Sequence, residues 1–401
     1  MGAGGLTTHN PIPVEHDAPR RVAAQRTPRV TSRTILLAGG GHAHVEVLRR
    51  FGERPAPGVS LVLVSPDRHV SYSAMLPGLV AGHYAQGETQ IDLEPLARYA
   101  GARFVRDRVA ALDPEGAEAT TESGDRFRFD LASLDVGSTP DLDFPGARGH
   151  ATGVKPIGAF LDRWERVLAD VAAGRTVRIA MVGGGAGGVE LLLAMHYRLS
   201  RIAAPRPPRL ALVTDRTNLP DTPSRALLAR LREAGVESHV GRGADRFDEA
   251  GVGLAGGGHV AADVVFCATP ARAAPWLAAS GLACDGRGFV RVDDHLRSPS
   301  HPHVFAAGDC ASQDGRDYPR SGVYAVRQGP PLARNLHAAA TGGRLAPFVP
   351  PRRTLALVST GGRHAVAFRG RWSVAGAWVW RWKDRIDRRF LDRYRVDRAG
   401  A

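Results

Sequence analysis

The sequence predicts an α/β protein built from two parallel-sheet units of Rossmann-like design, followed by a C-terminal hairpin and a basic amphipathic helix. Three observations carry that expectation. The apolar run Ile35-Leu36-Leu37-Ala38 closes into Gly39-Gly40-Gly41-His42-Ala43-His44 and then into the helix-like Val45-Glu46-Val47-Leu48. A second run, Val177 to Val182, closes into Gly183-Gly184-Gly185-Ala186-Gly187-Gly188 and then into Val189-Glu190-Leu191-Leu192. A later run, His303 to Ala306, ends in Ala307-Gly308-Asp309.

In each glycine-rich signature a buried strand turns into a helix whose free backbone N–H groups and positive dipole end suit a pyrophosphate. Glycine is needed where the turn takes an unusual φ and the ligand approaches bare backbone. One GxGxxG is weak in a chain with 47 glycines; two in strand-turn-helix context are specific. They predict two dinucleotides, a flavin and a nicotinamide. The copies differ: Gly183, Gly185 and Gly188 fill all three glycine positions, whereas His44 stands third in the first copy. His44 either packs at a wider helix–strand contact or faces the cofactor.

The other elements follow in order. Leu61 to Val64 reads as the second strand, with Ser65 where an acid would grip the adenosine ribose and Asp67 two further on. The apolar loop Tyr72 to Gly78 is a candidate wall for a planar ligand or an ordinary packed loop. Leu131 to Pro140 reads as a strand ending in a small-residue crossing to the second unit. Val154-Lys155-Pro156-Ile157 precedes an amphipathic helix near residues 158–173. Leu210 to Val213 leads to Thr214 and Asp215; the acid favours NADH, while Arg216 would accept a 2′-phosphate. Asp263 to Pro270 closes the second unit, and His303 to Asp309 returns the chain to the first, with Asp309 placed to accept a bond from a polyol hydroxyl. Ser321 to Gly329, including Tyr324, opens a helix whose N–H groups suit the developing negative charge of a reduced flavin.

Beyond residue 350, Leu355 to Val358 and Ala365 to Phe368 flank Thr360-Gly361-Gly362 as a hairpin. Trp378, Trp382, Ile386, Phe390 and Tyr394 then recur every four residues among arginines, which suits an interfacial membrane helix, a helix laid on the protein's own surface, or a homodimer contact. The expected organisation is a disordered basic tail over 1–32, an FAD-binding domain over 33–150 and 285–340, an NAD(P)H-binding domain over 151–284, and the C-terminal hairpin and helix over 341–401.

The net charge of +13 is terminal. Residues 352–401 hold twelve arginines and Lys383 against four aspartates, and residues 1–33 hold five arginines against Glu15 and Asp17, so the body between is close to neutral. That places a basic surface at the tail and points to an anionic partner such as a membrane surface. Nothing resembles a nucleic-acid module. The N-terminal residues lack the apolar segment of a secretion signal and no stretch is long enough for a membrane span, so a cytoplasmic location is expected, with peripheral attachment at the inner face of the plasma membrane through the last helix. Cys267, Cys284 and Cys310 form no paired motif and read as packing thiols, and no histidine cluster has metal-ligand spacing, so no metal is expected.

With both glycine signatures, Ala307-Gly308-Asp309 and Tyr324-Ala325-Val326-Arg327-Gln328-Gly329 in this order, the chain resembles the two-dinucleotide-binding-domain flavoproteins, in particular type II NADH dehydrogenase-like proteins. It looks closest to the branch known as a domain fused ahead of selenophosphate synthetase; Gly39 to Val45, Tyr72 to Gly78, Ser321 to Pro330 and Trp378 to Arg389 carry that match, which spans residues 33–395. The resemblance implies FAD at Gly39, Gly41, Gly308 and Asp309, and NAD(P)H at Gly183, Gly185 and Gly188; His42, Ser65, Asp215 and Tyr324 are further candidates for cofactor binding. Glu190 matches an acid near the two reacting rings, or complements its helix N-terminus; with Lys155 it is the candidate for managing charge and protons. The activity implied is hydride transfer from NADH to FAD, with electrons passed to a quinone. A reductase of sulfur or selenium compounds and a nucleotide-sensing flavoprotein without fast turnover are the alternatives.

Overall fold

The computed structural model describes residues 1–2, 32–202, 207–215, 222–351, 354–370 and 372–396. The tail expected over 1–32 falls almost wholly outside them, as does Arg216. Four strands, Arg33–Ala38 (β1), Val59–Val64 (β2), Ala102–Val105 (β3) and Leu131–Leu134 (β4), belong to the first sheet. Five more, Ala151–Gly153 (β5), Arg178–Val182 (β6), Arg209–Thr214 (β7), Glu237–Val240 (β8) and Val264–Cys267 (β9), form the second. Val304–Ala306 (β10) then returns to pair with β4.

The orders are β10-β4-β1-β2-β3 and β5-β9-β6-β7-β8, parallel throughout. Each glycine signature therefore closes the central strand of its sheet. Ile35, Leu36, Leu37 and Ala38 are fully buried, as a strand covered by helices on both faces requires. Each unit also carries a three-stranded antiparallel sheet just ahead of the later strand that pairs with its central strand: Val109–Asp113, Glu118–Thr121 and Arg126–Arg128 before β4, and Ala244–Asp248, Gly251–Leu254 and His259–Ala261 before β9. The two units are one design built twice.

The helix His42–Glu53 (α1) follows β1; Ile157–Ala172 (α2) and Ala186–Leu199 (α3) flank β6. The long helix Gly322–Thr341 (α4) lies along α1, so close that a Cβ at Gly329 would press on the side chain of Glu46. The passages between units are short: Thr139–Pro140 on the way out pairs antiparallel with Ala271–Arg272 on the way back. The small-residue crossing read after Leu134 is thus one half of a paired crossing.

At the C terminus Ala356–Ser359 (β11) and Ala365–Arg369 (β12) form the expected hairpin, and Trp372–Gly376 (β13) adds a strand that sequence patterning missed. The helix Ala377–Asp392 (α5) ends the described fold apart from a short turn. Its apolar residues do not share one face. Trp378, Trp382 and Ile386 are exposed, whereas Phe390 is buried, as is Tyr394 in the turn after the helix, because four-residue steps drift about 40° per step around a 3.6-residue helix. No helix among the described residues is long and apolar enough to cross a membrane.

Candidate active site

A cavity of about 290 Å³ opens where the two units face each other. The second unit contributes Gly185, Gly187 and Gly188 of its glycine turn, and the first contributes Asp309, Ser138 and the loop residues Ser73 and Pro77. Lys155 and Glu190 also line it. The loop Tyr72 to Gly78 is therefore in part the wall that its turn chemistry suggested.

The glycines are explained by close approach. At Gly39 (φ +92°) a Cβ would collide with the Asp135 carbonyl, and at Gly183 (φ +118°) with that of Ala268. Gly188 lets α3 close onto β6, since a Cβ there would strike the Gly183 carbonyl oxygen and lie 3.1 Å from the Ala268 methyl. Gly185 and Gly187 have nothing within 4 Å of a built Cβ, so packing against the described residues does not require glycine at either position. The N-cap of α3 is Gly185, which has no side chain of its own to cap the helix. Gly185, Gly187 and Gly188 line the cavity, where the first N–H groups of a helix suit an anion.

The first turn is different. Asp135, directly after β4, accepts hydrogen bonds from the N–H groups of Ala43 at 2.8 Å and His44 at 3.2 Å, both in the first turn of α1. Burial pushes its carboxyl up to about 7, opposed by the two N–H donors and by Lys155, and assisted by Asp309. His44 is fully buried, with Nδ1 2.6 Å from the Gly39 carbonyl oxygen and Nε2 2.8 Å from Ser133 Oγ. Its role is packing and tethering of helix to strand, the first of the two readings.

Lys155 Nζ donates to Asp309 Oδ2 at 2.5 Å, joining the residue ahead of α2 to the end of the β10 segment. Ser138 Oγ donates to the same oxygen at 3.4 Å. Gly308, at φ +68°, passes its N–H to Gln328 Oε1 at 2.6 Å, which fixes the Gly308-Asp309 turn against α4. His42 lies edge-on to Tyr72, ring centres 5.5 Å apart, and its buried Nε2 has no hydrogen-bond partner among the described residues. Burial, reinforced by Lys155 and opposed by Asp309, lowers its pKa to about 4, so the ring is neutral.

Glu190 is not in the first turn of α3, so the helix-capping reading is not met. Its Oε1 accepts the Ser359 N–H of β11 at 2.6 Å, and burial raises its pKa to about 7 against the pull of Lys383. Behind it Lys383 of α5 donates to Asp387 at 2.6 Å and to the Ala74 carbonyl at 2.5 Å. Sequence reasoning missed Asp135, Lys383 and Asp387. One signal was present: Lys155 and Lys383 are the only lysines of a strongly arginine-rich chain, and both hold buried or half-buried aspartates here.

Of the other expected residues, Ser65 is buried beneath Gly40 and bonds back to the Asp67 carbonyl at 3.1 Å, and Thr214 is its counterpart beneath Gly184. Asp215 is exposed at the end of β7. Tyr324 is buried in α4, stacked on Tyr318 at 4.6 Å. Cys267 and Cys310 are buried and their thiols are pushed up to about 12, chiefly by burial, so neither is a thiolate.

The model of the pyridine nucleotide-disulphide oxidoreductases matches residues 33–329, which takes in both glycine turns and Asp309. The chain belongs to this family. The NADH dehydrogenase-like protein of Mycobacterium tuberculosis is 28% identical over 249 residues, 59% of this chain and 61% of that protein. The chain thus spans about three fifths of the length of that relative. Among solved structures, the sulfide:quinone oxidoreductase of Aquifex aeolicus superposes with a TM-score of 0.77 at 16% identity, covering 90% of this chain and 91% of that one. NDH2 from Plasmodium falciparum, in complex with NADH, gives 0.75 at 13% identity, covering 90% and 97%. The two-unit flavoprotein architecture expected from the motifs is the fold observed, and the family is the one the motifs resemble. The finer likeness to the domain ahead of selenophosphate synthetase rests on the motifs alone.

Proposed function

We propose that this chain is an FAD-dependent NAD(P)H oxidoreductase that takes hydride from NADH and hands electrons to a quinone. The observation that carries the reading is the cavity itself, lined at once by the N-terminus of α3 and by Asp309 of the other unit, which Lys155 bonds across the gap. The residues fit both groups: Gly39 and Gly183 leave no room for a side chain, Gly185 and Gly187 leave open space at the cavity, and His42 Nε2 has no hydrogen-bond partner among the described residues. FAD belongs at Gly39, Gly41, His42, Ser65, Gly308, Asp309 and Tyr324, and NAD(P)H at Gly183, Gly185, Gly188 and Asp215, whose carboxylate favours the free 2′-hydroxyl of NADH. Bound flavin supplies the hydride and electron chemistry; the protein supplies placement and electrostatics.

In this reading Asp309 accepts a bond from a cofactor hydroxyl while Lys155 holds its other side. Glu190, titrating around neutrality, can hold or release a proton at the cavity wall, and Lys383 favours its charged form. Trp372, Trp378, Trp382 and Ile386 form an exposed apolar surface among arginines, which supports peripheral contact with anionic lipid, where a quinone would be found. Sealed cysteine thiols give no support to a sulfur or selenium reductase acting through Cys310.

The test is anaerobic stopped-flow absorbance of the yellow protein mixed with NADH or NADPH, then with a soluble quinone. Fast bleaching and fast reoxidation are expected, with NADH the better donor. Bleaching without reoxidation would remove the quinone, and no bleaching would overturn hydride transfer.

A further inference from the structure

We propose that Asp135 carries the proton that allows the first glycine turn to accept a dinucleotide's diphosphate, so that FAD binding takes up one proton. The inference rests on the flavoprotein reading above. The Asp135 carboxylate already takes two first-turn donors of α1, Ala43 N–H and His44 N–H. It also fills the space against Gly41 and Gly308, where any Cβ would collide with its carboxyl atoms.

The chain contains its own control. Asp135 N–H bonds the Ala38 carbonyl after β4, and Ala268 N–H bonds the Val182 carbonyl after β9, so the two residues are equivalent in the two units. Ala268 leaves α3 uncapped; Asp135 places a carboxylate on α1. An anion arriving at the first turn meets another anion unless Asp135 is protonated, in which case its O–H becomes a donor to the phosphate oxygens.

Apart from the two N–H donors, the neighbouring groups do little to offset its charge, Lys155 being the weakest of the influences on it. From α1, His42 is neutral and His44 is committed to Gly39 and Ser133. From the β10 segment, Asp309 adds negative charge, and Cys310 donates to the carbonyls of Ala307 and Leu134. Lys155, ahead of α2, is bonded to Asp309. Burial already brings the Asp135 carboxyl to about 7, and a diphosphate would raise it further.

The experiment dilutes the FAD-loaded full-length chain and its Asp135→Asn variant between about pH 6 and pH 9 and reads free-FAD fluorescence. For the wild type, Kd should rise above about pH 7, approaching tenfold per pH unit, as uptake of one proton requires. The Asn variant should show a flat profile and hold FAD at least about tenfold tighter than wild type at pH 9. A flat wild-type profile, or an Asn profile parallel to wild type, would overturn the inference while leaving the flavoprotein reading intact. Wild-type protein that holds no FAD at any pH would overturn both. Should the variant not fold, calorimetry of FAD binding to wild type in two buffers of different ionisation heat decides: uptake near one proton at pH 8 supports the inference, and zero uptake refutes it.

Discussion

Replacing Gly185 and Gly188 with alanine, one at a time, separates what the second glycine turn does for the fold from what it does for a ligand. At Gly188 the new methyl would run into the Gly183 carbonyl oxygen and sit 3.1 Å from the Ala268 methyl. Both obstacles belong to ends of central strands of the same sheet, so α3 must move instead. Overpacking of this kind costs about 1–3 kcal/mol. At Gly185, φ is −65° and nothing lies within 4 Å of the new methyl, so folding stability should change by less than about 0.5 kcal/mol. The same methyl takes up open space in the cavity that Gly185 lines, where a phosphate would approach the N-terminus of α3. Losing one charge-assisted hydrogen bond to a phosphate is worth about 1.5–3 kcal/mol, or roughly tenfold to hundredfold in affinity. Urea unfolding of both variants and NADH titration of flavin bleaching read the two effects separately. Gly185→Ala with unchanged stability and an unchanged NADH requirement would refute the assignment of this turn to the nicotinamide nucleotide.

Further predictions follow from the charges and the exposed surface. Asp309→Asn removes an acceptor and strands Lys155, so the purified protein should retain less FAD, read as the ratio of flavin to protein absorbance. Glu190→Gln should stabilise the fold at pH 8 but not at pH 4. The folded carboxyl titrates near 7 and the unfolded one near its ordinary value, so wild-type stability falls as pH rises between them, by roughly 3 kcal/mol in all, and urea midpoints at the two pH values check it. Changing Trp372, Trp378 and Trp382 together to serine should lower sedimentation with anionic vesicles while leaving NADH-driven bleaching unchanged; equal sedimentation would remove the lipid-contact proposal. Point changes are the right probe, because α5 also buries Val379, Trp380, Phe390 and Leu391, and truncation would damage the core.

The central strands and both turns were legible because each is a local pattern: an apolar run, glycines at fixed spacing, then a helix. The same holds for Asp309, marked by its position at the end of a buried run. Asp135 was not legible, since its partners Ala43 and His44 lie more than ninety residues away and meet it only when β4 pairs beside β1. Strand β13 escaped notice because four of its five residues are exposed, leaving no alternation to read. The apolar repeat on α5 misled for the opposite reason: a spacing of four looks regular in sequence but spirals from solvent into the core.

The segment after residue 350 has a mechanical consequence. Val358, Val366 and Phe368 pack into the cluster of the second unit, while Ala365, Ala367, Val379 and Trp380 pack into that of the first. One short piece of chain is thus fastened to both halves, and the paired crossing strands join them a second time. A hinge needs freedom that two separate attachments remove. The protein should therefore melt in a single cooperative transition, and the gap between its halves is a fixed slot rather than a jaw that opens and shuts.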